Sequence, residues 1–98
     1  MPQSLINTAF VVRAYGNATS TNKYIINTSN ANTMKFWSGN IGQIYAPTVL
    51  SPSGTTLATI GVNVAESSAI TIDVSNYDYI RIITPGTANA DAAYKFVN

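Results

Sequence analysis

The stretch SNYDYIRIITPG, residues 75–86, decides how this sequence can fold. Successive side chains of a β-strand point to opposite faces, so Ile80 and Ile82 share one side while Tyr79 and Arg81 share the other. Burying an isoleucine side chain contributes roughly 1.5–3 kcal/mol, which favours packing the apolar side against a second layer of structure. The stretch therefore predicts a strand with one buried face and one tyrosine–arginine face.

The segment before it, AITIDV at residues 69–74, alternates in the same way. An antiparallel hairpin with residues 75–77 as its loop pairs Ile72 with Ile80 and gathers the isoleucines on one face. A loop of two residues shifts the register by one and mixes the faces. A second topology satisfies the same pattern: the two strands lie in opposing sheets, and residues 75–77 form the corner between them. The sequence leaves both arrangements open.

Short β-rich segments of this kind recur along the whole chain. Seven or eight of them follow one another at intervals of about ten residues, separated by Asn, Ser, Thr, Gly and Pro. No window repeats apolar residues with the period of a helix, and only residues 88–93 allow a helical turn. The sequence predicts an all-β fold: a single antiparallel β-sandwich of Greek-key or jelly-roll type, with seven to eight strands and little or no helix, in one domain spanning residues 1–98.

The low content of charged residues is the most unusual feature of the composition. Charged residues make up 9% of the 98 residues, against roughly 25% in an ordinary soluble domain. Ser, Thr and Asn cover the surface instead, and the formal net charge is +1. This balance leaves no electrostatic footprint for nucleic acid or for an anionic membrane. It favours a protein whose surface is partly covered by other proteins, or one that works outside the cell.

The residue inventory argues against catalysis. The sequence has no histidine and no cysteine, so the common nucleophile–base pairs cannot be built. Only Asp73 and Asp78 among the carboxylates are close in sequence, and the hairpin register turns them to opposite faces. No loop supplies the closely spaced acids that calcium needs. We therefore expect a protein that is not an enzyme and that uses no cofactor and no metal.

Sandwiches expose strand edges, which natural monomers protect with lysines, prolines, bulges or covering loops. Three predicted strands carry one lysine each, and Pro47 and Pro85 are placed to protect two edges. Several weakly charged strands remain without such protection. Their edges are expected to pair or pack with other copies of the chain or with a larger surface.

The segments VSNYDYIRII and SPSGTTLATI, in a small, cysteine-free chain rich in Asn, Thr and Ala, resemble the β-sandwiches of capsid decoration (cement) proteins of tailed phages. This resemblance implies a non-enzymatic structural virion protein, often a trimer, that binds between major capsid subunits on the virion surface. The implied partners are further copies of itself and the major capsid protein or another virion protein. The N-terminus MPQSLINTAF has no signal-peptide pattern, so synthesis in the host cytoplasm is expected.

Interface residues are predicted from residue type and position. Tyrosine, tryptophan and arginine are enriched at the energetic centres of protein interfaces. A solvated sheet face, stabilised by cross-strand pairs, remains the alternative for the tyrosine–arginine side. The N-terminal arm is a candidate docking strand. The predicted contact residues are Trp37, Tyr79 and Arg81, with Pro2, Gln3, Ser4 and Leu5 from the arm.

A carbohydrate-binding module or tail-associated adhesin domain is the alternative function. Trp37 and Tyr45 would stack on sugar rings while asparagine side chains bind the hydroxyl groups. This alternative requires an exposed Trp37. Alternation puts Phe36 and Trp37 on opposite faces of their strand, so one of the two is expected in the core.

Overall fold

A computed structural model of the chain describes residues 6–14, 21–38, 47–60, 64–85 and 90–98. Eight strands form two four-stranded antiparallel sheets, which confirms the predicted all-β sandwich. The expected helical turn at residues 88–93 is wrong for residues 90–93, which are extended chain in β8, while residues 88 and 89 lie outside the described residues. A 3₁₀ turn occurs among the described residues after β5. The strands are β1 (Ala9–Ala14), β2 (Thr21–Asn27), β3 (Thr33–Ser38), β4 (Thr48–Leu50), β5 (Thr56–Thr59), β6 (Ile70–Asp73), β7 (Tyr79–Pro85) and β8 (Ala90–Val97), and the 3₁₀ turn is Glu66–Ser68.

The strand order identifies the topology. Sheet A has the order β1-β8-β3-β6, and sheet B has the order β2-β7-β4-β5. Four antiparallel pairs are nested in the chain: β4 with β5, β3 with β6, β2 with β7 and β1 with β8. The chain is thus one long folded ribbon whose pairs alternate between the two sheets, while β3–β8 and β4–β7 contacts join the pairs within each sheet. This is the eight-stranded jelly roll.

The isoleucine-rich strands β6 and β7 lie in different sheets. β6 pairs with β3 in sheet A, whereas β7 pairs with β2 and β4 in sheet B. The hairpin prediction is therefore wrong, and the corner arrangement of residues 75–77 is the one the structure adopts. Ile72 reaches the core from one layer, and Ile80 and Ile82 reach it from the other. Both topologies bury the same side chains, which is why alternation alone did not separate them.

Hydrogen bonds hold this corner against the β2–β3 corner. Thr28 is fully buried; its backbone N–H donates to the Asp78 carbonyl at 3.0 Å, and its hydroxyl donates to the Tyr77 carbonyl at 2.6 Å. The Val74 N–H in turn donates to the Asn32 carbonyl at 3.0 Å. Two crossings between the sheets are thereby joined at one end of the sandwich.

The β6 end of the corner is shaped by a local turn. The Asp73 carboxylate accepts from the backbone N–H of Ser75 at 3.0 Å and from its hydroxyl at 2.7 Å. These two hydrogen bonds, the hydroxyl one first, lower the pKa of Asp73 below its ordinary value. These hydrogen bonds close a local turn where the chain leaves β6.

The core fills the space between the two sheets. Apolar side chains from both layers form one buried cluster, with aromatic groups concentrated in sheet A. Tyr94 stacks on Phe10 with ring centroids 5.6 Å apart and meets Phe96 edge-on at the same distance. The fully buried side chains of the cluster include Met34, Phe36, Val49, Ile60, Val74, Ile80 and Ile82.

Among the described strands, β1 and β6 are at the edges of sheet A, and β2 and β5 are at the edges of sheet B. Pro47 immediately precedes β4, and Pro85 ends β7, and both of these strands have neighbours on each side. The expectation that these prolines protect edges is therefore wrong. Lys23 is the lysine that lies on an edge strand, since Lys35 and Lys95 belong to strands with two neighbours.

Two buried threonines provide a matched test of the fold. Among the described residues the buried Thr84 hydroxyl has no hydrogen-bond partner, whereas the Thr28 hydroxyl joins the two corners. We expect Thr84→Val to raise the free energy of unfolding by about 1 kcal/mol and Thr28→Val to lower it by about 1–3 kcal/mol. Urea unfolding followed by tryptophan fluorescence measures both. Two losses of equal size would contradict the different roles assigned to the hydroxyls.

Candidate interaction surfaces

Alternate side chains of β2, β7 and β4 point away from the core and form the outer face of sheet B. No element among the described residues lies over this face. Register places Ile25 and Leu50 directly opposite Arg81, one on each side, so an apolar–arginine–apolar row crosses three strands. The outer face of sheet B comprises Lys23, Ile25, Asn27, Thr48, Leu50, Tyr79, Arg81 and Ile83, with Thr56 and Thr59 of β5 opposite Leu50 and Thr48.

Exposure of large side chains distinguishes this face. Ile25 is 74% exposed and Tyr79 is 38% exposed. Leu50, Ile83 and Arg81 are half-buried. An isoleucine open to water on the outer face of an edge strand gains nothing from the fold itself, and exposed apolar groups that lie together mark interaction sites.

Arg81 is held in place by the turn after β4. Its Nε and Nη2 atoms both donate to the Ser51 carbonyl oxygen at 3.4 Å. Gly54 in the same turn has a φ of +100°, and a Cβ atom there would lie 3.3 Å from Arg81 Nη2. The glycine thus allows both the turn and the close approach of the guanidinium.

Replacing Gly54 tests this arrangement. We expect Gly54→Ala to lower the free energy of unfolding by about 1–2 kcal/mol, because an L-residue resists a positive φ. Urea unfolding measures the loss. When Arg81 is also replaced by methionine, the loss of unfolding free energy caused by the positive φ should persist. The loss caused by crowding of Arg81 Nη2 should disappear. An unchanged free energy of unfolding in Gly54→Ala would contradict the role given to the turn.

The outer face of sheet A differs in charge and in cover. Lys35 lies directly opposite Lys95, and Lys95 Nζ lies 3.7 Å from Glu66 Oε2 in the 3₁₀ turn. The chain at residues 64–68 runs against β3, where the Ser38 N–H donates to the Val64 carbonyl at 2.8 Å. This face therefore carries both signs of charge and is partly covered by its own chain.

Trp37 belongs to this second face, beside Ala93, and is only 6% exposed. Phe36, on the opposite side of the same strand, is fully buried in the core. Sugar stacking requires an exposed Trp37, and the expectation of an exposed Trp37 is therefore wrong. Alternation placed the two aromatic residues on opposite faces, but local pattern could not show that both are buried.

The structure brings together only part of the predicted interface set. Tyr79 and Arg81 share the outer face of sheet B, while Trp37 lies across the sandwich on sheet A, so one flat partner cannot contact all three. Pro2, Gln3, Ser4, Leu5 and Tyr45 lie outside the described residues. Sequence reasoning missed Ile25. Its signal was the unbroken pair of isoleucines at positions 25 and 26, one of which has to leave the core.

An apolar groove opens between edge strands β1 and β2. It has a volume of about 260 Å³ and is lined mainly by Phe10, Tyr94 and Phe96 from sheet A and by Ile25 and Ile26 from sheet B. Burial raises the pKa of the Tyr94 hydroxyl. Further along the same two strands, the Tyr24 hydroxyl of β2 donates to the Arg13 carbonyl of β1. This hydrogen bond joins the two sheets.

Within residues 6–14, 21–38, 47–60, 64–85 and 90–98, no three His, Cys, Asp or Glu side chains gather where a metal ion would fit. The same ranges contain no helix with the length and apolar character needed to cross a bilayer. Comparison with known proteins finds no family model and no curated protein that matches this sequence.

Proposed function

We propose that this protein is a non-enzymatic structural virion component that decorates or cements a capsid by binding between major capsid subunits. It acts by covering surface on neighbouring subunits and so holding them together. Chemistry plays no part in this role, in keeping with a chain that has no histidine and no cysteine. Further copies of the chain, with a trimer favoured, and the major capsid protein are the proposed partners.

The observation that carries the proposal is the outer face of sheet B. It presents the exposed Ile25 next to Tyr79 and to an Arg81 that the Ser51 carbonyl already positions. Tyrosine and arginine flanked by apolar groups are typical of the energetic centre of a protein interface. A partner that covers this face removes the isoleucine from water without disturbing the core.

The fold and composition support the same role. The jelly roll is the architecture of many viral capsid domains, and lectins and cupins also use it, so the fold alone assigns no function. A content of 9% charged residues suits a surface that other proteins partly cover. The virion surface is the proposed location.

Fractionation tests the proposal directly. A lysate of the source culture is separated on a density gradient, and the chain is detected by antibody. We expect it in fractions of virion-sized particles, far from the position of a free chain of 10.4 kDa. Light scattering of the purified chain over a concentration series gives its oligomeric state. A chain confined to the small fractions would refute the proposal.

A pair of surface variants refines the test. Ile25→Asn removes the apolar centre of the outer face of sheet B, whereas Val11→Asn makes a similar change at a residue 62% exposed on β1 in sheet A. We expect Ile25→Asn to lower the particle-bound fraction by about tenfold, the loss from one interface side chain worth about 1.4 kcal/mol, with unfolding unchanged. Val11→Asn should remain bound. The reverse ranking would place the contact on sheet A.

A further inference from the structure

We infer that the outer face of sheet B binds a protein surface in which carboxylate groups stand among apolar side chains. The inference rests on the proposed function and names the chemistry of its partner. Its first support is an asymmetry of charge: the strands of sheet B contain Lys23 and Arg81 and no aspartate or glutamate. The strands of sheet A contain both signs, and the 3₁₀ turn beside them adds Glu66.

The geometry of Arg81 indicates what the partner supplies. Two of its N–H groups point to the Ser51 carbonyl, which leaves the rest of the guanidinium for a partner. A carboxylate matches the planar fork of these donors, and an arginine that is already fixed loses little side-chain entropy on binding. Ile25 and Leu50 on either side of Arg81 require apolar groups around that carboxylate.

Charge also decides against a second copy of the same face. In a two-fold contact of this face with itself, Arg81 and Lys23 of both copies meet with no carboxylate between them. Like charges brought together in an interface cost free energy and suppress the wrong partner. The face is therefore complementary to a different, acidic surface, and contacts between copies of the chain use other parts of the molecule.

The small number of cations favours protein over phosphate. Proteins that hold DNA through its backbone make about 6–10 phosphate contacts, and segments that bind anionic lipids carry about 4–8 basic residues. The outer face of sheet B has two cations, separated by exposed isoleucine. Two carboxylates of a protein surface satisfy them, and the apolar groups supply the remaining contact.

The test uses beads that carry a ligand combining a carboxylate with a phenyl ring. We apply the whole chain and its variants Lys23→Gln, Arg81→Gln and Lys35→Gln at about 0.1 M salt. At this salt concentration, interactions between nearby charges are only partly screened. Each variant lowers the formal net charge from +1 to 0, so they differ only in the face that loses the cation. Circular dichroism establishes that each variant is folded. Because Lys23 is exposed on an edge strand, its variant keeps the test decisive even if Arg81→Gln unfolds.

We expect Lys23→Gln and Arg81→Gln to lower the retention factor about two- to fivefold, the effect of one exposed ion pair, and Lys35→Gln to change it little. Ile25→Asn should also reduce retention, and Val11→Asn should not. Equal or larger losses with Lys35→Gln would overturn the inference. The inference would also be overturned if the chain bound duplex DNA or phosphatidylglycerol vesicles at about 0.15 M salt and Lys23→Gln abolished that binding. The face would then be a phosphate-binding surface.

This test and the gradient fractionation fail independently. A chain that binds the beads through sheet B and yet is absent from particles keeps the inference and loses the proposed virion role. A chain found on particles whose bead retention depends on Lys35 keeps the role and loses the inference.

Discussion

The contact of Thr28 with the chain at Tyr77 and Asp78 is the constraint on which the sandwich depends. It lies where two segments leave one sheet for the other, and it satisfies backbone groups that neither sheet can pair. The bend at Ser29 and Asn30, both with φ near +60°, brings the chain back towards sheet A immediately afterwards. With these crossings fixed side by side, β3 and β6 meet in one layer and β2 and β7 in the other.

The candidate surface follows from that arrangement. β7 belongs to sheet B, where it lies between β2 and β4. Arg81 therefore has an apolar neighbour on each of these two strands. The turn after β4 then lies within reach of the guanidinium, and Gly54 leaves room for it. Had β7 paired with β6, Arg81 would have shared a face with the acidic Asp73. The positive character of the outer face of sheet B is thus a result of topology.

Alternation in the sequence was sufficient to predict the all-β sandwich and the buried face of the isoleucine strands β6 and β7, but it did not predict the start of β8. Ile72, Ile80 and Ile82 are in the core because any packing of two layers rewards that pattern. The sheet to which each strand belongs was not accessible, since a hairpin and a corner bury the same side chains. The burial of Trp37 and the turn that holds Arg81 depend on contacts between segments distant in the chain. Such contacts leave no periodic trace in the sequence.

The nesting of the strand pairs also sets the order in which the chain is able to fold. β4 and β5 close a short loop, and each pair further out closes a longer one, so the entropy cost of closure rises towards the β1–β8 pair. β8 lies between β1 and β3, and it is the neighbour of β1 among the strands that the structure describes. During synthesis β1 therefore cannot pair with β8 until β8 has been made. Sheet A is completed only after β8 has left the ribosome, and a chain that stops before β8 leaves β1 and one side of β3 without their neighbour in the described sheet.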